Sequence, residues 1–387
     1  MDIRALDRAY IAGTYDRYEP VLVSGHGSLV YDEAGRRYID MGSGIAVNAF
    51  GVADAAWAEA VAQQARRLQH ACNKYYTAPQ AQLAEQLCAR TGMRKVFFCN
   101  SGAEANECAL KVARKYGSDR YGAARPTIIT LENSFHGRTI ATLAATGQEA
   151  MHRDFGPFPP GFRHVKAGDV RAMEQAFDGT VCGVLIELVQ GEGGVNVLEP
   201  AYVRAVERLC RDNDALFMID EVQTGNGRTG TLYAFEGYGV EPDVVTTAKG
   251  LAGGLPIGAA LLGARAQDVL KSGDHGSTFG GNPVCAAAAL SVLGRIDEAL
   301  LSDVRLKGAA LRETLAAARG VRRVTGLGLM LGVETEKPAA DVVRRCMERG
   351  VLALTAKDKV RLLPALNIPM AQLEQAVSVL KDVCAGE

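Results

Sequence analysis

Between Lys95 and Leu262, short apolar runs rich in β-branched residues alternate with stretches of helical composition. Few folds accommodate that alternation. Strands are expected at Lys95–Cys99, Thr127–Leu131, Val181–Ile186, Leu216–Ile219, Val244–Thr247 and Ile257–Leu262, and helices at Ala103–Tyr116 and Ala201–Asn213. Runs that are apolar throughout, rather than at every second residue, suit strands buried on both faces. The pattern therefore predicts an α/β fold with a mainly parallel sheet covered by helices on either side.

The flanking sequence changes character. Leu29–Tyr31 and Arg37–Asp40 enclose Asp32-Glu33-Ala34-Gly35, a hairpin turn signal, and Ala53–Gln69 and Ala78–Thr91 have helical composition. After Pro283 a small-residue helix, Val284–Leu293, leads to a long helical region ending near Gly320, and residues 321–387 return to mixed strand and helix. At about 150 residues per domain, 387 residues make two or three domains. The expected division is a large domain over 51–285 and a smaller α+β domain shared by the two chain ends. Residues 1–50 supply an arm and part of that smaller domain, and 286–387 supply the rest.

Lys plus Arg number 43 against 44 Asp plus Glu, which gives no reason to expect nucleic acid or an anionic membrane as partner. The longest apolar stretches, around Val284–Val292 and Leu255–Gly263, fall far short of the ~20 residues of a membrane helix. Met1–Ile11 carries Asp2, Arg4, Asp7 and Arg8 and lacks the apolar centre of a signal peptide. Nine scattered cysteines without a C-x-x-C argue against a disulfide framework or a zinc site and fit a reducing cytoplasm. The histidines have no ligand spacing, so no metal is expected. Glycine alone is in excess, 43 residues where about 7% is usual, so many backbone positions need tight turns or close approach to a ligand.

Four segments bear chemistry. In Phe98-Cys99-Asn100-Ser101-Gly102-Ala103-Glu104-Ala105-Asn106 a strand ends and a helix begins. Ser101 and Glu104 fit a capping box, which alone would explain both; the alternative is an anion site at the helix start, with Gly102 allowing close approach. Leu216–Gln223 is a buried strand with Asp220 at its carboxyl end, where ligands bind in open α/β sheets. Lys249 follows the next strand and precedes a glycine-rich loop. It reads either as a surface loop lysine or as a desolvated nucleophile. The glycine-rich sets at 190–194, 225–230 and 276–283 read singly as turns. Ser134-Phe135-His136-Gly137-Arg138 suits stacking on a planar ligand with a carboxylate nearby. There is no Walker A, G-x-S-x-G or H-E-x-x-H pattern, and no G-x-G-x-x-G dinucleotide fingerprint.

In order and spacing, FFCNSGAEAN, FHGR, QGEGG, IDEVQTGNGRTG, AKG and HGSTFGGNP resemble the fold-type I, class III aminotransferases that use pyridoxal phosphate. The resemblance runs over nearly the whole chain, and Glu192, Asp220 and Lys249 have that family's spacing. It implies that Lys249 is the Schiff-base lysine and proton shuttle and that Asp220 faces the pyridine nitrogen. Gln223 would bond the phenolic oxygen, Phe135 would stack on the ring, and Ser101, Gly102 and Ala103 would hold the phosphate. Thr278 would reach the cofactor of a second subunit, which makes a homodimer with shared sites the minimal active unit. On the substrate side, Arg361 would grip the α-carboxylate of glutamate, Glu192 would neutralise Arg361 while the other donor is bound, Arg138 would bind a distal carboxylate, and Ser277 belongs to the same set.

The expected activity is an ω-aminotransferase moving the δ-amino group of N-acetylornithine to 2-oxoglutarate. Succinylornithine, ornithine, 4-aminobutyrate or a lysine-pathway amine are the alternative donors, and a catalytically silent binding protein is the alternative of another class. Two segments depart from the family pattern. Gly51-Val52-Ala53-Asp54-Ala55 replaces Gly-His-x-His-Pro, and Ile186-Glu187-Leu188 replaces Val-Glu-Pro. Both are expected to bear on substrate shape and to leave the core chemistry untouched. Ile45 stands where ornithine-using relatives tend to place a Tyr, which favours the acetylated donor, though users of 4-aminobutyrate are aliphatic there too.

Overall fold

Seven strands make the central sheet of the computed structural model, which describes residues 2–386. From one edge the order is Lys95–Cys99, Gly258–Leu262, Val244–Thr247, Leu216–Asp220, Val181–Ile186, Thr127–Leu131 and Phe162–Val165. Gly258–Leu262 runs antiparallel to both neighbours and the other strands are mutually parallel. The expected strands are present within a residue at each end. Every residue of Val181–Ile186, Leu216–Asp220 and Val244–Thr247 is buried, which is why these runs show no alternation. The edge strand Phe162–Val165 escapes sequence reading because Arg163 and His164 interrupt its apolar run and only Val165 is fully buried.

The helix after the first strand covers Gly102–Tyr121, longer than the sequence suggests. Gly117 looks like a terminator, but a Cβ there would sit 2.7 Å from the Arg125 carbonyl and 2.8 Å from Cys182, so this glycine serves close helix–sheet packing. The helix at Ala55–Arg67 starts later than expected because Asp54 caps it, accepting from the Trp57 N–H at 2.9 Å. The long helical region divides into Pro283–Leu293 and Glu298–Ala316, the second capped by Asp297.

The chain ends meet. Leu22–His26, Leu29–Asp32 and Arg37–Asp40 form an antiparallel set, and Val351–Leu352 adds to Arg37–Asp40 in parallel. The expected hairpin is made by Asp32, whose Oδ1 accepts from the N–H groups of Ala34 and Arg36. A separate antiparallel sheet combines Val321–Leu327, Met330–Thr335, Lys359–Leu362 and Leu354–Ala356. The Leu363 N–H donates to the Met41 carbonyl at 2.6 Å and the Leu366 N–H to that of Ala49 at 2.8 Å, so the segment after Lys359–Leu362 is tied to the N-terminal region. The carboxyl ends of the parallel central strands open towards these ties, and the cleft between them is the site.

Candidate active site

A cavity of about 420 Å³ lies at the carboxyl ends of the parallel strands. Its walls come from the turns that follow five strands. These supply Ser101, Gly102 and Ala103 after Lys95–Cys99, Phe135 and Arg138 after Thr127–Leu131, Glu187 after Val181–Ile186, Asp220 and Gln223 at the end of Leu216–Asp220, and Lys249 after Val244–Thr247. Val47, from the N-terminal region, and Ile257 close it. Lysine, carboxylate, aromatic ring and helix start thus share one enclosure.

At one end the helix Gly102–Tyr121 presents its N-terminus. Ser101 caps it, its Oγ accepting from the Glu104 N–H at 3.2 Å, and the Glu104 carboxylate accepts from the Asn100 N–H at 2.8 Å. The reciprocal bond reaches one residue further back than a standard capping box. The first N–H groups of the helix have no partner within it and carry the positive end of its dipole. A Cβ on Gly102 would lie 2.6 Å from Val222, so a glycine is required for this turn to pack where it does. The capping and anion readings are both compatible with this start.

At the other end Asp220 is 4% exposed and fully partnered. Its Oδ2 accepts from Asn106 Nδ2 at 2.7 Å and faces His136 Nδ1 at 2.8 Å, while Oδ1 accepts from the Val222 N–H at 3.0 Å. Asn106 is in turn fixed by Thr246, whose Oγ1 donates to Asn106 Oδ1 at 2.7 Å, and by its own donation to the His136 carbonyl. With the carboxylate as acceptor, His136 carries its hydrogen on Nδ1, and its buried Nε2 has no partner among the described residues. Asn106 and His136 lie inside two of the sequence motifs, whose pattern assigns them no task. Their signal was polar residues in otherwise apolar, buried surroundings.

Lys249 has a left-handed backbone, φ 47°, unusual for a side-chain-bearing residue. Its amine makes no hydrogen bond or ion pair among the described residues. Burial holds its pKa below the ordinary lysine value, against the opposing pull of Glu192 and Asp220. Such an amine is a better nucleophile and base at neutral pH than an exposed lysine.

In the Ile186-Glu187-Leu188 segment the two departing residues, Ile186 and Leu188, are buried in the core, and the residue that faces the cavity is Glu187, which is shared with the family pattern. Its carboxylate lines the cavity and accepts from the N–H of Phe135 at 2.9 Å and of Gly191 at 3.4 Å. Burial, then the nearby Asp220 charge, raises its pKa well above the usual carboxylate range. The Gly51–Ala55 departure also lies elsewhere: Asp54 caps a helix and pairs with Arg295 at 2.9 Å.

Beside the cavity Arg361, almost fully buried, donates to Glu192 and, at 3.3 Å, to Gln223 Oε1. Gln223 Nε2 donates to Glu192 at 3.3 Å, closing a three-residue cycle. Burial raises the Glu192 carboxyl, but the Arg361 guanidinium outweighs it and leaves the pKa below the usual value. Arg138 is exposed at the cavity mouth with its guanidinium 5.5 Å from the Phe135 ring centroid. Besides Arg361 and Glu192, two further expected site residues lie outside this enclosure. Ser277 accepts from Asn100 Nδ2 at 3.1 Å behind the helix start, and Thr278 is exposed.

Glu221, next to Asp220, is fully buried and holds the following loop. Its Oε1 accepts from the Phe235 N–H at 2.8 Å and Oε2 from the Thr224 hydroxyl. Burial pushes its pKa up to about 7. A carboxyl with a raised folded-state pKa adds stability below the unfolded pKa, and that contribution fades as pH rises through about 7. Glu221→Gln should therefore gain on the parent by about 3 kcal/mol between pH 5 and 8. Thermal unfolding of the two proteins across that range checks it, and a pH-independent difference would refute it.

Comparison with known proteins agrees with this geometry. A family model, aminotransferase class-III, matches residues 10–384. The acetylornithine aminotransferase of Haemophilus ducreyi is 52% identical over 384 residues, spanning 98% of each chain. Among solved structures, N-acetylornithine aminotransferase from Stenotrophomonas maltophilia matches with a TM-score of 0.86 and 35% identity, over 99% of this chain and 98% of that one. Ornithine aminotransferase from Toxoplasma gondii matches with a TM-score of 0.94 and 32% identity, over 99% and 94%.

Proposed function

The chain belongs to the class III aminotransferases, and from that premise we propose that it is a pyridoxal-phosphate-dependent ω-aminotransferase. It moves the δ-amino group of N2-acetylornithine to 2-oxoglutarate, giving N-acetylglutamate 5-semialdehyde and glutamate, a step of arginine biosynthesis. The observation that carries the reading is the convergence of Lys249 and Asp220, from neighbouring parallel strands, on one cavity. The donor assignment is supported by the names of the similar proteins and by the aliphatic Ile45.

The residues fit the cofactor. Gly102 leaves bare N–H groups for a phosphate, and the orphan amine of Lys249 suits a carbonyl. The buried, doubly supported Asp220 suits a protonated ring nitrogen and Phe135 a ring face. When bound, the cofactor supplies a carbonyl to accept the amino group and an electron-withdrawing ring to stabilise the carbanion-like transition state. Asp220 holds the proton on the ring nitrogen, and Asn106 and His136 hold Asp220. Lys249 Nζ moves the proton at the reacting carbon, its lowered pKa leaving more of it in the basic form.

Two differently shaped substrates must use the site in turn. Arg361 binds the glutamate α-carboxylate in a bidentate fork. Beside the acetylornithine end, which brings no carboxylate there, an unpaired guanidinium would be a buried uncompensated charge, and pairing with Glu192 removes that penalty. Arg138 takes the distal carboxylate of either substrate. Arg361→Ala should thus slow the glutamate half-reaction by about 100-fold or more while changing the acetylornithine half-reaction less than about tenfold. Stopped-flow measurement of each half-reaction tests the proposal, and equal losses would overturn it.

The reading includes a homodimer in which Thr278 serves the partner's cavity, supported by its exposure outside its own. It includes domain limits at 1–50, 51–285 and 286–387. A cytoplasmic location is supported by nine cysteines without a disulfide among the described residues, none of whose helices is long and apolar enough to cross a membrane.

A further inference from the structure

Arg228 is 2% exposed, and no carboxylate pairs with it among the described residues. Its Nη1 donates instead to two carbonyls, Leu329 at 3.1 Å and Pro364, and its Nε is buried without a partner. A guanidinium buried without an anion is costly, and it persists only where the surrounding structure holds it. Burial alone pushes its pKa down to about 9.

The two carbonyls place this side chain between distant parts of the molecule. Arg228 belongs to the loop that follows Asp220 and Gln223. Leu329 lies in the turn between Val321–Leu327 and Met330–Thr335, and Pro364 is three residues beyond Arg361. The Leu329 N–H returns a bond to the Arg228 carbonyl at 3.0 Å. Gly328, φ 52°, approaches so closely that a Cβ would lie 2.7 Å from that carbonyl. The same loop is anchored at its other end beside the reactive amine: Asn226 Nδ2 donates to Thr247 Oγ1 at 3.1 Å and to the Ala248 carbonyl at 3.2 Å, immediately before Lys249. One short loop therefore spans from the backbone before Lys249 to the segment carrying Arg361.

We propose that Arg228 is a positioning residue for glutamate, fixing the Arg361 segment against the loop anchored at Lys249 and so setting the place of the carboxylate grip relative to the amine. This rests on the reading of Arg361 given above. Nothing in the role requires contact with substrate. The effect is expected in binding of the substrate whose α-carboxylate Arg361 holds, and not in the donor half-reaction, where Glu192 satisfies Arg361.

Arg228→Met removes the donors and keeps the packing volume; Arg228→Lys keeps a charge and part of the reach. In holo Arg228→Met, amide exchange at Leu363 and Leu366 should quicken about tenfold or more. The apparent KM of the glutamate half-reaction should rise about tenfold, with its saturating rate and the acetylornithine half-reaction changed less than about threefold. Arg228→Lys should recover part of both effects and carries the test alone if the methionine variant does not fold. Unchanged exchange in a folded variant overturns the proposal, and so do equal losses in the two half-reactions. Arg361→Ala in the parent reports separately on the underlying reading: if it spares glutamate, that reading fails whatever Arg228 does.

Discussion

Lys249→Ala should lower turnover by about 10⁴-fold or more while the protein stays folded. The residue stands at a position chosen against packing economy. Its amine lines the cavity without a hydrogen bond among the described residues, and its backbone is left-handed. With the cofactor removed from both proteins, the variant also lacks a poorly solvated ammonium and should unfold at or above the parent's temperature near neutral pH. The sign can be checked against pH. With the folded-state pKa depressed, the parent binds fewer protons folded than unfolded in the alkaline range and gains stability as pH climbs towards the ordinary lysine value. The variant's advantage should shrink over that interval. Steady-state rates, with calorimetry of the cofactor-free proteins from pH 7 to 10, decide it; turnover near the parent's would remove Lys249 from its role.

The second large effect belongs to Asp220. Asp220→Asn keeps the shape and can still accept a bond, but it cannot hold a proton on a ring nitrogen by charge. The rate of a single turnover should fall roughly 10³-fold with the cofactor retained. Asp220→Ala should do at least as much and should also strand His136 Nδ1 and one of the two Asn106 Nδ2 hydrogens, the other staying on the His136 carbonyl, at about 1–3 kcal/mol for each lost bond. The asparagine variant separates chemistry from stability for that reason. An analogue of the cofactor with a permanent positive charge at the ring nitrogen should restore much of the rate to Asp220→Asn. An unchanged single-turnover rate without it would sink the assignment.

The central sheet was legible because burial on both faces leaves a direct trace: Val181–Ile186 and Leu216–Ile219 are runs without a charged residue to interrupt them. The single reversed strand, Gly258–Leu262, is as fully buried as its neighbour Val244–Thr247, and burial of both faces does not reveal in which direction a strand runs. The edge strand at Phe162–Val165 was lost for the opposite reason, since exposure admits Arg163 and His164. In the site, Lys249, Asp220 and Phe135 stood out through motif and spacing. Glu187 did not, because a carboxylate after an apolar strand looks like any loop acid until the fold turns it inward onto the N–H groups of Phe135 and Gly191. The Glu192–Gln223–Arg361 cycle joins residues up to 169 positions apart, so its closure belongs to tertiary structure.

The parallel pairing of Val351–Leu352 with Arg37–Asp40 has a bearing on how the chain is made. On the ribosome, the partner of the strand at Arg37–Asp40 emerges about 310 residues after it. At about 5–20 residues per second, the N-terminal strands wait roughly 15–60 s with an unfilled hydrogen-bonding edge. For that interval the nascent protein has a free edge open to any strand that can add to it, including one from a neighbouring nascent copy. Chains halted before Val351 should be the ones that need a chaperone, and synthesis through Val351–Leu352 should decide the yield of native enzyme.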